Sequence, residues 1–258
     1  MSKEYNLITD FDFTLIADFF TGLDRQGPGN DEQTRRALGL LGELPPRPRI
    51  ADIGCGTGRQ TSALLRELPD ARATAVDLLP EMIDGLRRRM AAEALADRVT
   101  GIVASMESLP FAEASFDLLW AEGSIYNVGF ERGLRTWRRF LKTGGYVAVT
   151  DCSWLCSARP DRMEFFRDNF PDIDDIAGKI GALQRAGYRP LAHFILPDEC
   201  WTEEFYLPAT LRAQEFLEAH DNAPIARVFV KRLEEEIDQY RRYGDLYGYV
   251  FYIGQKTD

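Results

Sequence analysis

Three glycines follow a short apolar run in the segment ADIGCGTGRQT, residues 51–61: they stand at alternate positions, Gly54, Gly56 and Gly58. Glycine weakens a helix or strand, but it allows left-handed backbone conformations and lets another group come close to the main chain. A turn of this kind between a strand and a helix exposes backbone N–H groups at the helix N-terminus. The spacing is therefore typical of a loop that holds a nucleotide-like ligand.

Two acidic residues narrow the choice of ligand. Asp77 closes the next predicted strand, about twenty residues on, where a carboxylate can accept hydrogen bonds from two ribose hydroxyls. Asp52 precedes the glycines, which read G-x-G-x-G rather than the G-x-G-x-x-G of dinucleotide loops. An acidic residue there would repel a pyrophosphate, but it suits a ligand whose amino-acid end carries a positive charge. The pattern favours S-adenosylmethionine as cofactor, with a nicotinamide-dependent oxidoreductase as the alternative.

Strands alternate with helices around this loop. RPRIADIG, ARATAVDLL, VTGIVAS, SFDLLWAE and GYVAVTD are predicted strands, and TSALLRELP, PEMIDGLRRRMAAEAL and ERGLRTWRRFLK are predicted helices. This order over residues 48–151 predicts an α/β fold with a doubly wound, mostly parallel sheet.

The flanks read differently from this core. Residues 1–45 are predicted as a helical cap, and residues 152–258 as an aromatic-rich lid followed by a charged helix and a final strand, all within one domain, 1–258. On the charged helix, the run 234–236 is expected to lie on a solvated face.

Composition excludes several classes of protein. The chain has 258 residues and a formal net charge of -10, which would repel a phosphate backbone, so no nucleic-acid partner is expected. No apolar run approaches the ~18 residues of a membrane helix, and the N-terminus lacks a secretory pattern, so a cytoplasmic protein is expected. The four cysteines form no CxxC pair and only two histidines accompany them, which predicts no metal site.

Four stretches together resemble the class I S-adenosylmethionine-dependent methyltransferases, Rossmann-like enzymes: ADIGCGTGRQT, AVDLLPEMID, residues 108–151 and GYRPLAHFILPDECWTEEFY. The flanks resemble a group of bacterial small-molecule methyltransferases. The resemblance implies that Asp52, Gly54, Gly56 and Gly58 carry the methionine part of S-adenosylmethionine and that Asp77, with Leu78 beside it, holds the ribose. It implies methyl transfer to a small-molecule acceptor. A cofactor-sensing protein of the same fold without turnover is a further alternative.

The adenine segment departs from the pattern of these relatives. They often carry Gly-Asp-Ala before LPF, whereas this chain has Ala104, Ser105 and Met106. The Ser105 hydroxyl can accept one hydrogen bond where a carboxylate is usual, and Met106 is a candidate for ring contact. The stretch WAEGSIYNVGF lies where such enzymes place the edge of the substrate pocket, which nominates Glu122, Gly123, Ser124, Tyr126 and Asn127, with Glu122 also near the cofactor.

Methyl transfer from a sulfonium mainly requires alignment and exclusion of water. An oxygen or carbon nucleophile would also need a base, for which Glu122, Tyr126 and His193 are the candidates, although His193 is more simply a structural residue. Aromatic faces suit cations, so aromatic residues of the flanks are predicted to form a mobile cover over the acceptor: Phe11, Phe13, Trp154, Trp201, Phe205 and Tyr206. Of these, Phe13, Trp154 and Trp201 are assigned to acceptor binding with Tyr126 and Asn127. A homodimer is compatible with the sequence.

Overall fold

The computed structural model describes residues 7–161 and 163–258. Its sheet contains β1 (Arg49–Ile53), β2 (Arg72–Asp77), β3 (Val99–Val103), β4 (Phe116–Ala121), β5 (Leu141–Trp154), β6 (Asp174–Asp175), β7 (Tyr188–Ile195) and β8 (Tyr247–Lys256). The strand order is β3-β2-β1-β4-β5-β8-β7, with the short β6 also paired to β5. Strands β1 to β5 run parallel, and β8 runs antiparallel between β5 and β7. The predicted doubly wound, mostly parallel sheet is confirmed.

Helices cover both faces of the sheet. They are α1 (Phe13–Thr21), α2 (Asp31–Gly39), α3 (Arg59–Glu67), α4 (Pro80–Ala92), α5 (Phe130–Trp137), α6 (Glu164–Asn169), α7 (Ile176–Arg185), α8 (Glu199–Trp201), α9 (Leu207–Ala219) and α10 (Pro224–Tyr243). A π-helical segment, Thr202–Tyr206, joins α8 to α9. Helices α1 and α2 confirm the predicted N-terminal helical addition.

Strand β4 shows how the core is divided. All six of its residues are buried, which is expected of a central strand covered on both faces. Leu118 and Trp120 belong to one buried cluster, while Leu119 and Ala121 belong to the other, because successive side chains of a strand point to opposite faces. The first cluster reaches α1 and α10, and the second reaches α5 and α7.

The C-terminal part differs from the predicted aromatic cover. Strands β7 and β8 extend the sheet beyond β5, so the aromatic residues there enter the core instead of lying in loops above it. Trp154 ends β5, is 4% exposed and packs with its ring centroid 4.9 Å from that of Phe166. Tyr206 is also buried, and Phe11 packs 5.1 Å from Phe229. The final strand, YGYVFYIGQK, matches its predicted bounds.

Within the described ranges, no helix combines the length and apolar character needed to cross a membrane. The same residues contain no group of three or more His, Cys, Asp or Glu placed to hold a metal ion.

Candidate functional site

A cavity of about 670 Å³ opens at the carboxyl ends of the parallel strands. It lies beside β1 and β4, where the strand order reverses direction, which is the usual position of ligand sites in open α/β sheets. Its volume falls within the range of about 300 to 1,000 Å³ that is typical of small-molecule sites. The glycine loop, the ends of β2 and β4, the N-terminal segment and α10 all contribute to its lining.

The glycine loop has the backbone conformation that its sequence predicts. Gly54, Gly56 and Gly58 have φ of 77, 53 and 84°, a region that other residues adopt only at a cost. A Cβ added at each would lie 2.4 Å from Ser124 Cβ, 2.1 Å from Gln26 Oε1 and 2.2 Å from Leu86 Cδ1, respectively. The groups that come close to this backbone are therefore side chains of the chain itself.

Only part of the loop faces the cavity. Gly54 and Gly56 line it, whereas Gly58 does not and instead stands at the N-terminus of α3.

Asp52 lies beneath the loop, in contrast to its predicted place against the cofactor. It is fully buried, it does not line the cavity, and it accepts hydrogen bonds from Thr61 Oγ1 at 2.5 Å and Gln60 Nε2 at 3.4 Å. Burial raises its pKa to about 7, opposed by these two hydrogen bonds. Of these three residues, Gln60 is the one that lines the cavity, so Asp52 has no direct contact with it.

Asp77 lies at the cavity wall and also supports the loop. Its carboxylate accepts the backbone N–H of Gly56 at 2.9 Å and that of Leu79 at 3.1 Å. Burial raises the pKa of Asp77, while these hydrogen bonds lower it. Each carboxylate oxygen keeps a second lone pair that a ribose hydroxyl could use. Leu78, next to it, is 49% exposed and lines the cavity.

The predicted adenine segment also lines the cavity. Ser105 and Met106 both contribute to its surface. Trp137 Nε1 donates to the Met106 carbonyl at 3.0 Å, which fixes the segment, and Ser105 Oγ accepts the Glu107 N–H at 3.2 Å.

Glu122 lines the cavity, and its carboxylate accepts three hydrogen bonds from within the protein. It accepts hydrogen bonds from Arg25 Nη1 at 3.0 Å, from Thr34 Oγ1 at 2.7 Å and from Trp120 Nε1 at 2.8 Å. These contacts tie the N-terminal segment to the end of β4, and a role of Glu122 as a base stays a prediction.

The rest of the segment after β4 is well ordered by hydrogen bonds. Ser124 Oγ donates to the Ile53 carbonyl at 2.7 Å, and the Gly123 N–H donates to Thr150 Oγ1 at 2.7 Å. Both residues line the cavity, as do Tyr126 and Asn127. Burial is the largest cause that raises the pKa of Tyr126 to about 12, followed by the nearby Glu236 carboxylate. The Tyr126 hydroxyl therefore stays protonated at neutral pH.

Two further predicted site residues, besides Gly58 and Asp52, lie outside the cavity wall. His193 is exposed on β7, the edge strand, and is not part of the cavity wall, which removes it from the candidate bases. Trp154 is buried in the core away from the cavity, so it cannot contact an acceptor there. Phe13, Trp201 and Phe205 do line the cavity, and Phe13 is 55% exposed.

The most informative residue that sequence reasoning missed is Glu236 of α10. It was predicted on a solvated face, but it lines the cavity and accepts the Tyr206 hydroxyl at 3.2 Å. Burial raises its pKa to about 7. The signal was present in the sequence, since Glu236 is three residues after the buried Leu233 and four before the buried Tyr240 and so lies on the same side of the helix. Gln26 and Arg25, from the loop between α1 and α2, were missed without such a signal.

Comparison with known proteins agrees with this geometry. A family model described as "Methyltransferase domain" matches residues 50–145. The ubiquinone/menaquinone biosynthesis C-methyltransferase UbiE of Cereibacter sphaeroides is 32% identical over 166 residues, which cover 62% of this chain and 65% of that protein. The chain thus spans just under two thirds of the length of this relative.

Solved structures match over nearly the whole chain. YjhP from E. coli aligns with a TM-score of 0.82 at 18% identity, covering 95% of this chain and 99% of that one. An S-adenosylmethionine-dependent methyltransferase from Geobacter sulfurreducens, solved with S-adenosyl-L-homocysteine, aligns with a TM-score of 0.79 at 18% identity, covering 93% and 97%. At these identities the match shows the fold. This chain therefore has the fold of these structures, and its residues 50–145 match the methyltransferase domain model.

Proposed function

We propose that the protein transfers a methyl group from S-adenosylmethionine to a small-molecule acceptor. The observation that carries the proposal is the charge of the cavity at the glycine loop. Asp77 and Glu236 line it without a partner among the cations of the described residues, while the one arginine in its wall, Arg25, pairs with Glu122 and Asp31. An acidic cavity favours a cationic ligand.

The loop itself argues against a dinucleotide. A pyrophosphate is held by free backbone N–H groups at such a loop. Here the Gly56 N–H donates to Asp77 Oδ2 at 2.9 Å and the Thr57 N–H donates to Gln26 Oε1 at 2.9 Å. Two of the amides that would bind phosphate are thus used internally, and a carboxylate occupies the position of the anion. A nicotinamide cofactor fits this loop poorly.

The residues present fit S-adenosylmethionine. Asp77 would accept the ribose hydroxyls, Leu78 and Met106 would cover the adenine ring, and Ser105 would hydrogen bond at its edge. The loop of Gly54 and Gly56 would carry the methionine part. When bound, the cofactor supplies an activated methyl group as a sulfonium.

Three further predictions belong with this function: one domain over residues 1–258, a cytoplasmic location and a homodimer as a possible assembly. They remain expectations from the sequence, and none of them is needed for the chemistry at the cavity.

Calorimetry with S-adenosylmethionine, S-adenosylhomocysteine and NAD tests the proposal. We expect both sulfur compounds to bind and NAD not to bind. Preferential binding of NAD would contradict the proposal. Formation of S-adenosylhomocysteine with a panel of small acceptors then separates an enzyme from a cofactor-sensing protein, which would bind the cofactor without turnover.

A further inference from the structure

Glu236 forms the part of the cavity wall that α10 contributes. Its Oε1 accepts the Tyr206 hydroxyl at 3.2 Å, which leaves Oε2 for a second donor. The side chain also borders a smaller adjoining cavity of about 240 Å³. A carboxylate at this place is accessible to a molecule bound in the cavity.

On the side of the larger cavity, the groups around Glu236 are aromatic rather than basic. The groups near its carboxylate are four tyrosines and a thiol: Tyr126, Tyr206, Tyr247, Tyr249 and Cys152. Burial raises the pKa of each of these groups, so all of them are neutral near pH 7.

On the side of the smaller cavity stand Asp168, Arg232 and Glu235, and Arg232 donates to Glu235 at 2.5 Å. No Lys or Arg of the described ranges forms an ion pair with Glu236. A largely enclosed carboxylate without a cation destabilises the folded protein. The presence of Glu236 at this position is therefore explained by function and not by stability.

We propose that Glu236 accepts the proton of an acidic hydroxyl, phenolic or enolic, on an aromatic acceptor whose oxygen is methylated. This inference rests on the proposed methyltransferase function. In the balanced step, a bond forms between the acceptor oxygen and the methyl carbon as the methyl–sulfur bond breaks and sulfur keeps the electron pair. The hydroxyl proton passes to Oε2 of Glu236 and later to solvent. The sulfonium charge and the carboxylate charge disappear together, which an apolar cavity favours.

The chemistry of the carboxylate favours a hydroxyl over an amine. A protonated amine would form an ion pair with Glu236, which would raise the amine pKa and keep its lone pair unavailable. A hydroxyl has no such problem, because its hydrogen bond to the carboxylate makes the oxygen more nucleophilic. The pKa of Glu236, about 7, lies about 3 units below that of a phenol such as tyrosine, a gap that general base catalysis can bridge. An aliphatic alcohol is far less acidic.

The cavity walls favour a planar acceptor. Trp201, Phe205, Phe170 and Tyr249 line the same space as Glu236. The rings of Trp201 and Tyr249 meet edge to face, with centroids 4.8 Å apart. Aromatic surfaces of this kind pack well against another ring.

The test compares wild type with Glu236→Gln and with Glu234→Gln, a control that makes the same change at an exposed position of α10. Turnover is measured as S-adenosylhomocysteine formed with simple phenols and with matched benzylamines. We expect phenols to be methylated and Glu236→Gln to lower the rate by at least about 100-fold, with cofactor affinity within a few-fold of wild type. The wild-type rate should rise with pH through about 7, and the variant should lose this rise.

A binding experiment tests the same contact without turnover. The absorbance of 4-nitrophenol distinguishes its neutral and ionised forms, so it reports the ionisation of the probe bound to the S-adenosylhomocysteine complex. The Glu236 carboxylate should shift that ionisation to higher pH in wild type and in Glu234→Gln, and Glu236→Gln should abolish the shift. The same probe ionisation in wild type and Glu236→Gln, or transfer to benzylamines but not phenols, would overturn the inference. Failure of wild type to bind S-adenosylmethionine would instead refute the proposed function.

Discussion

Gln26 fastens the N-terminal helical segment onto the glycine loop: its side-chain oxygen accepts the Thr57 N–H at 2.9 Å. Its amide nitrogen donates to the carbonyls of Phe20 and Leu23 at 3.2 and 2.9 Å, and to Thr57 Oγ1 at 3.2 Å. One side chain thus joins the end of α1 to the loop before α3. The closeness of this contact requires a residue without a side chain at Gly56, whose Cβ would lie 2.1 Å from Gln26 Oε1.

We expect Gly56→Ala to lower the free energy of unfolding by roughly 2 to 3 kcal/mol and to weaken cofactor binding. About 1 to 2 kcal/mol comes from the left-handed backbone, and about 1 from the displaced Gln26 hydrogen bonds. Urea unfolding of Gly56→Ala, Gln26→Ala and the double variant separates these contributions, because adding Gly56→Ala to Gln26→Ala should cost only the backbone term. Gly39→Ala is the control, since nothing lies within 4 Å of its added Cβ. Strict additivity would refute the contact.

Asp77→Ala should affect both the loop and the ligand. The variant leaves the N–H groups of Gly56 and Leu79 without their acceptor, which costs about 1 to 3 kcal/mol of folding stability. It also removes the charged acceptor for the ribose, and we expect the affinity for S-adenosylmethionine to fall roughly ten- to a hundred-fold. Calorimetry and urea unfolding measure the two effects, with Asp84→Ala, which breaks an exposed pair with Arg87, as control. If Asp77→Ala binds S-adenosylmethionine as tightly as wild type does, Asp77 does not bind the ribose.

Glu236→Gln should stabilise the protein at alkaline pH. The pKa of this carboxyl is about 7 in the folded protein against an ordinary value of 4.5, so the folded state binds a proton that the unfolded state has already released. The stability that Glu236 contributes is present below about pH 4.5 and is lost as the pH rises through about 7. Glutamine does not titrate and keeps the shape.

We therefore expect Glu236→Gln and wild type to have similar free energies of unfolding near pH 4.5. At pH 8 the variant should be more stable than wild type by roughly 1 to 3 kcal/mol. Urea unfolding at several pH values checks this, with Glu234→Gln as the control that shows no such dependence. A variant that gains stability and loses turnover would mark Glu236 as a residue kept for function. Equal pH dependence in both proteins would contradict the raised pKa.

The sequence predicted the sheet, the strand-to-helix turn of the glycines and the position of Asp77 at the end of β2, because these depend on short-range patterns, while the contacts of these residues with a cofactor stay predictions. It misplaced Asp52, because spacing along the chain does not reveal which side of a loop a carboxylate faces. The charge run 234–236 suggested a solvated face for Glu236, although helical periodicity puts this residue on the same side of α10 as the buried Leu233 and Tyr240. The contacts of Gln26 with Thr57 join residues 31 positions apart, which no local pattern encodes.

The aromatic residues after β5 show a further limit of composition. Trp201 was predicted in a mobile cover, but it is 2% exposed, stacks on Tyr240 with centroids 4.6 Å apart and 14° between the rings, and meets Tyr249 edge to face at 4.8 Å. It therefore belongs to the core and presents one part of its surface to the cavity.

We expect Trp201→Ala to lower the free energy of unfolding by about 3 to 5 kcal/mol, because truncation leaves a large void next to Tyr240. Trp201→Phe keeps an aromatic ring in the stack and should lose much less. Urea unfolding compared with cofactor titration of the folded fraction distinguishes the core from a cover. Unchanged stability in Trp201→Ala, with normal cofactor binding and impaired turnover, would instead support the prediction that Trp201 belongs to a mobile cover. Only a residue outside the core can be truncated without leaving a void.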